Sequence, residues 1–282
     1  MKKTILITGC STGIGLCVAK GLKERGYHVF ASARKKHDVE MLLEAGFKDA
    51  VQLDLDDSQS IKTAVKRVFE KTEGELYALF NNGAYGQAGA VEDLTRETLR
   101  ANFETNIFGT HELTTLILPA MRKQGYGRII QNSSVLGFIS LPYRGAYNAT
   151  KHALEGLTDT MRLELNNTNI HVSLIEPGPI ISHFRKNAFA AYQRNIDKEN
   201  SAHREIYDAM ERRLTKEGPA APFTLPPEAV LKKVIHALES NKPKNRYYVT
   251  FPTYLFGTLK RLLSYSWMDK VLLKVSSGEQ KK

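Results

Sequence analysis

The chain has 282 residues, 42% of them hydrophobic and 25% charged, enough to bury a sizeable core in one large domain or two small ones. Its formal charge of +10 comes from basic residues spread along the chain, with no cluster built to enter a nucleic-acid groove, so nucleic acid is not the expected partner. No stretch reaches the roughly 18 apolar residues of a membrane span, no signal-peptide core precedes the first strand, and two cysteines seven apart make no disulfide framework, so a soluble, cytoplasmic protein is expected.

Taken in order, short β-rich runs alternate with helical stretches. Residues 4–8, TILIT, read as a strand buried on both faces, and GCSTGIG at 9–15 follows at once, leading into a helix that runs to Arg25. Further strands are predicted at 27–33, 51–55, 76–80, 128–134, 171–176 and 246–251. The alternation implies right-handed βαβ units and a Rossmann-type, doubly wound parallel sheet of about seven strands, helices on both faces. With no internal repeat and no low-complexity linker, residues 1–282 read as a single domain.

Two places carry chemistry. A glycine turn directly after a buried first strand brings backbone amides and a helix N-terminus together, which suits a pyrophosphate. Gly9, Gly13 and Gly15 are spaced G-x-x-x-G-x-G, not the commoner G-x-G-x-x-G, but they do the same work of tight turn and close backbone approach. The second place is GAYNATKHALEG at 145–156, which sets Tyr147 and Lys151 four apart on one helical face. A phenol beside a fixed ammonium is a device for proton transfer, and Ser134, at the end of the fifth predicted strand, suits polarising a carbonyl oxygen. A tyrosine and a lysine at this spacing are common as a surface pair; their company is what distinguishes them here.

TGCSTGIG at 8–15, NN at 81–82, Asn106 in ETNIFGT, Ser134, YNATK at 147–151 and EPGPI at 176–180 together resemble the short-chain dehydrogenase/reductase family, in order and over roughly the first 185 residues. Within it the chain is similar to the branch of retinol and 17β-hydroxysteroid dehydrogenases and, more closely, bacterial NADP-dependent aldehyde reductases. The resemblance implies Tyr147 as general acid or base, Lys151 as the group that lowers its pKa and binds the nicotinamide ribose, Ser134 as the orienter of the substrate oxygen, and Asn106 as the holder of a relay water. It also implies a cofactor site of Gly9, Ser11, Thr12, Gly13, Ile14 and Gly15 at the pyrophosphate, with Asp54 and Leu55 at the adenine and Asn82 on the adenosine side. Pro177, Gly178, Ile180 and Ser182 would grip the carboxamide. The family usually reads N-N-A-G where this chain has Asn82-Gly83-Ala84 after Asn81, which shifts the permissive residue by one place.

Charge argues the cofactor. NAD-using members carry an acid at the end of the second strand; here that residue is Ala33, followed by Arg34, Lys35 and Lys36, so NADP(H) is expected with Arg34 on its 2′-phosphate. The expected reaction is NADP-dependent reduction of a small carbonyl compound, an aldehyde first, with a retinol or hydroxysteroid alcohol as the alternative. Residues 183–227 are expected to cover the substrate. Residues 253–275 form a C-terminal helical extension with basic and apolar residues interleaved, expected to pack on the domain or a sister subunit of a homodimer or homotetramer, with weak membrane-surface contact as the rival reading. His28, His111, His152 and His203 show no metal-ligand spacing.

Overall fold

In the computed structural model, which describes residues 3–277, the chain opens β1 (Thr4–Ile7), α1 (Gly13–Glu24), β2 (His28–Ala33), α2 (Lys36–Glu44), β3 (Val51–Gln52), α3 (Ser58–Thr72) and β4 (Ala78–Asn81). It continues through α4 (Arg96–Phe103), α5 (Thr110–Gln124), β5 (Gly127–Asn132), α6 (Gly145–Glu164) and β6 (Ile170–Glu176). The C-terminal third holds α7 (Phe184–Asn195), α8 (Arg204–Thr215), α9 (Glu228–Glu239), β7 (Arg246–Tyr248), α10 (Phe251–Leu262) and α11 (Tyr265–Ser277).

These residues form a seven-stranded sheet in the order β3-β2-β1-β4-β5-β6-β7, every pair parallel. The order reverses between β1, which pairs with β2 on one side, and β4 on the other, and a ligand crevice opens at such a switch point beyond the carboxyl ends of the strands. Ile5, Leu6 and Ile7 of β1 are apolar, and the strand is buried on both faces. Ile5 and Ile7 join one core with Val18 and Leu22 of α1 and Val230 and Val234 of α9; Leu6 joins the other with Ile61 and Val65 of α3 and Leu113 and Ile117 of α5. The strand ends that matter for function are thus gripped from both sides.

Three expected boundaries move. The third strand pairs only over Val51–Gln52, because Asp54 bends the chain by accepting from the Asp56 N–H at 3.1 Å. The fifth stops at Asn132, so Ser134 lies past the sheet, heading a short 3₁₀ turn at Val135–Gly137. The seventh stops at Tyr248, and Phe251, expected in that strand, starts α10 with a proline in its first turn. The extension is two helices with a break at 263–264, rather than one.

Candidate active site

The glycine turn has the shape a pyrophosphate needs. Gly9 and Gly13 have φ of 70° and 60°, and a Cβ on Gly15 would come within 2.2 Å of the Gly9 carbonyl oxygen, so the turn is closed to side chains. Thr12 is the N-cap of α1 but its side chain accepts no capping bond, and the first turn holds no acid. The α1 N–H groups therefore remain open to an anion. From the far side Ser182 closes over the turn, its Cβ 3.1 Å from where a Gly13 Cβ would stand. Ile180 bridges to Leu225, Pro177 accepts from the Val135 N–H at 2.8 Å, and Gly178 backs onto the Thr250 hydroxyl, so the 177–182 segment is fixed at both ends. These residues fit the dinucleotide that the sequence implies.

Two motifs are bolted together below that turn. Thr8 Oγ1 accepts from the N–H groups of Asn82 and Gly83, at 2.8 and 2.7 Å. Asn82 Nδ2 donates to the carbonyls of Thr8 (2.9 Å) and Gly9 (3.2 Å), and its Oδ1 accepts from Asn132 Nδ2 at 2.9 Å. Asn82, expected against adenosine, has its side chain spent on the protein. The Gly83-Ala84 inversion costs nothing in the backbone, since neither residue has a positive φ; the position at 83 instead needs a small residue, because a Cβ there would sit 3.1 Å from Leu55 Cδ1.

Tyr147 is 9% exposed and leaves α6 toward Ser134, whose hydroxyl acts on the phenol. Burial pushes the phenol above its ordinary value, with the Ser134 hydroxyl pulling the other way, so the group holds its proton. Lys151, 3% exposed, has Nζ 5.6 Å from the Tyr147 ring centre and donates to the Asn132 carbonyl at 2.7 Å. Desolvation lowers Lys151 to about 8, and Glu155 opposes that. Asn106 lies in a wide π turn (Glu104–Gly109) between α4 and α5. Its amide is committed to the main chain of Tyr85 (3.1 and 2.9 Å) and to Thr150 Oγ1 (3.1 Å), fastening that turn to α6. The main-chain role of Asn132 had no sequence signal, because a carbonyl belongs to every residue.

A model of the short chain dehydrogenases matches residues 3–193. The chain belongs to that family. As a short-chain dehydrogenase it is an oxidoreductase that works with a nicotinamide cofactor. It is 46% identical over 272 residues to the uncharacterized oxidoreductase YbbO of Escherichia coli, covering 96% of this chain and 94% of that one. It is 30% identical over 277 residues to an NADPH-dependent 3-dehydrocapnine reductase of Ornithobacterium rhinotracheale, covering 95% of each. A solved short-chain dehydrogenase from Streptomyces avermitilis superposes with a TM-score of 0.76 at 29% identity, over 99% of this chain and 98% of that one.

The C-terminal third of this short-chain dehydrogenase closes over Tyr147. Phe184, first residue of α7, meets the Tyr147 ring edge-on at 5.2 Å, and α7 and α8 enclose a satellite core of Tyr192, Ile196, Tyr207 and Met210 against Ala88 and Ala90. Phe256 of α10 and Met268 and Leu272 of α11 pack in one cluster with Leu136, Ile139 and Tyr147. The extension thus packs on the domain at the site itself, as one of the two expected readings had it, although Leu262 within it is 75% exposed. Among the described residues no helix is long and apolar enough to cross a membrane, and no cluster of His, Cys, Asp or Glu could hold a metal.

Proposed function

We propose that this protein is an NADP(H)-dependent reductase of small carbonyl compounds, aldehydes in particular. The observation that carries the cofactor choice is at the end of β2. Ala33 is buried where an acid would repel a 2′-phosphate, and Arg34 beside it is exposed and, among the described residues, meets no carboxylate. A free guanidinium can hold a phosphate through a charge-assisted fork. Asp54 follows β3 and spends one carboxylate oxygen on its own turn, and adenine contact is assigned to it alongside Leu55.

The bound cofactor supplies the hydride. Everything else falls to the chain. The Ser134 hydroxyl lies beside the Tyr147 phenol, so a substrate oxygen entering between them takes up both groups at once. Tyr147, protonated, then donates its phenolic proton to that oxygen as negative charge develops on it. Lys151, held by the Asn132 carbonyl, keeps a positive charge beside the phenol and favours the phenolate left behind. Phe184, Leu136 and Phe256 make an apolar wall that excludes water and suits an aliphatic or aromatic aldehyde.

A panel of aldehydes, ketones and alcohols assayed with NADPH, NADH and their oxidised forms tests the reaction. For the cofactor, Ala33→Asp with Arg34→Gln should weaken NADPH by about 10 to 150-fold, the worth of one charge-assisted phosphate contact, and leave NADH little changed. Equal losses for both would remove Arg34 from the 2′-phosphate site.

A further inference from the structure

Behind the serine turn lies a buried group of charges that the reaction as described does not use. Glu155 sits on α6 one turn beyond Lys151, and it is 6% exposed. One of its carboxylate oxygens, Oε1, accepts a short hydrogen bond from Ser133 Oγ, the residue before Ser134. The other, Oε2, takes a short ion pair from Arg246 of β7. The same guanidinium reaches Glu176 of β6 at 2.5 Å and Asp159 of α6 at 2.5 Å. Asp159 is also paired with Arg162 at 2.5 Å.

The serine turn is wound around this carboxylate. A Cβ built on Gly137 would stand 2.5 Å from Ser133 Oγ and 2.7 Å from Glu155 Oε1, so the turn that presents Ser134 is pressed against both. Ser134 Oγ in turn accepts from the Leu136 N–H at 3.1 Å inside that turn. Three positive groups (Lys151, Arg246, Arg162) face three acids (Glu155, Glu176, Asp159). Glu176 is fully buried, and burial with the neighbouring Glu155 charge pushes its carboxyl well above the usual carboxylate range. Its Oε2 has no hydrogen-bond partner among the described residues. Arg246 serves Glu155, Glu176 and Asp159 together, which is what lets carboxyl groups stand in a place where a charge is otherwise costly.

We infer that Glu155 is a positioning residue for this enzyme: clamped by Arg246, it anchors the turn carrying Ser134 through Ser133 and holds the ammonium of Lys151 in its charged form. The groups around Lys151 leave that electrostatic task to Glu155. From α6 come Glu155 and the neutral phenol of Tyr147; from β5 comes the Asn132 carbonyl; the turn after β5 brings the neutral hydroxyls of Ser133 and Ser134. Arg246, Glu176, Asp159 and Arg162 stand behind Glu155. The consequence is large near neutrality. With Lys151 at about 8, roughly three-quarters of it is charged at a pH of about 7.5, and one unit lower only about one-quarter is.

The inference rests on Lys151 acting beside the reacting phenol, but its test needs neither substrate nor cofactor, so it stands apart from the choice of NADPH and aldehyde. The full-length protein is labelled with lysine carrying ¹³C at Cε and titrated by NMR, the Lys151 signal being identified by its loss in Lys151→Arg. Glu155→Gln keeps the shape and can still accept from Ser133, and it should move the Lys151 midpoint down by about one unit. Ser133→Ala removes the anchor but not the charge, and should leave the midpoint where it is while slowing any turnover assigned by the substrate panel. If Glu155→Gln does not fold, Glu155→Met, of similar length and able to be buried without a partner, removes the charge while Arg246 keeps Glu176 and Asp159, and should show the same downward shift. A midpoint in the folded Glu155 variant within about 0.2 units of the wild type, whatever its melting temperature, would overturn the inference.

Discussion

Replacing Thr8 by Val tests how the nucleotide end of the site is held. Thr8 is 1% exposed, and its hydroxyl accepts from two main-chain N–H groups, Asn82 at 2.8 Å and Gly83 at 2.7 Å. Valine has nearly the same shape, so packing is kept and only the acceptor is lost. Each donor stranded by such a change costs about 1–3 kcal/mol, and the lower half of that range applies because Asn82 and Gly83 are half-buried and water can reach them in part. The two together come to about 2–4 kcal/mol. Unfolding entropy near the melting point is about 2.1 cal/mol/K per residue, or roughly 0.6 kcal/mol/K for this chain, so the melting temperature should fall by about 3–7 °C. Asn82 also donates to the Gly9 carbonyl, so NADPH affinity should weaken several-fold with it. Calorimetry on Thr8→Val and on Thr8→Ser, which retains the acceptor and should lose far less, reads the effect directly. A Val variant melting within about 1 °C of the wild type would refute the reasoning, because it would mean that those two N–H groups find partners unaided.

Tyr147→Phe deletes the proton and keeps the ring against Phe184, so single-turnover reduction should slow by about 10² to 10⁴ with NADPH binding nearly unchanged; more than half the wild-type rate would remove Tyr147 from the acid's role. In the extension, Leu272→Ala should cost about 2–4 kcal/mol because Leu272 is packed in the Tyr147 cluster, whereas Leu262→Ser should stay within about 0.5 kcal/mol; thermal melts decide, and equal costs would mean that α11 does not pack as described.

What the amino-acid sequence determined by itself is the part governed by local rules. Burial on both faces made TILI a parallel strand, the glycines at 9, 13 and 15 could only be a tight turn before a helix, and helical spacing placed Tyr147 and Lys151 on one face. These follow from nearest neighbours along the chain, where period and conformational freedom act directly. Element ends were less legible. Ser134 left its strand and Phe251 began a helix because a hydroxyl cap and a proline act over two or three residues and compete with β-propensity.

Only the tertiary structure could decide which side chains are free to act. Asn82 and Asn106 look like ligand groups in the sequence, and the fold gives their amides partners within the chain, Thr8, Gly9 and Asn132 for the one and Tyr85 and Thr150 for the other. Leu262 and Leu272 look alike in an apolar tail, and one lies in solvent while the other packs beside Tyr147. The Glu155–Arg246 pair joins residues 91 apart in the chain, and Arg246 lies outside the stretch that carries the family motifs. Charge interactions of this kind depend on distance and burial in the folded chain, and no periodicity along the sequence encodes either.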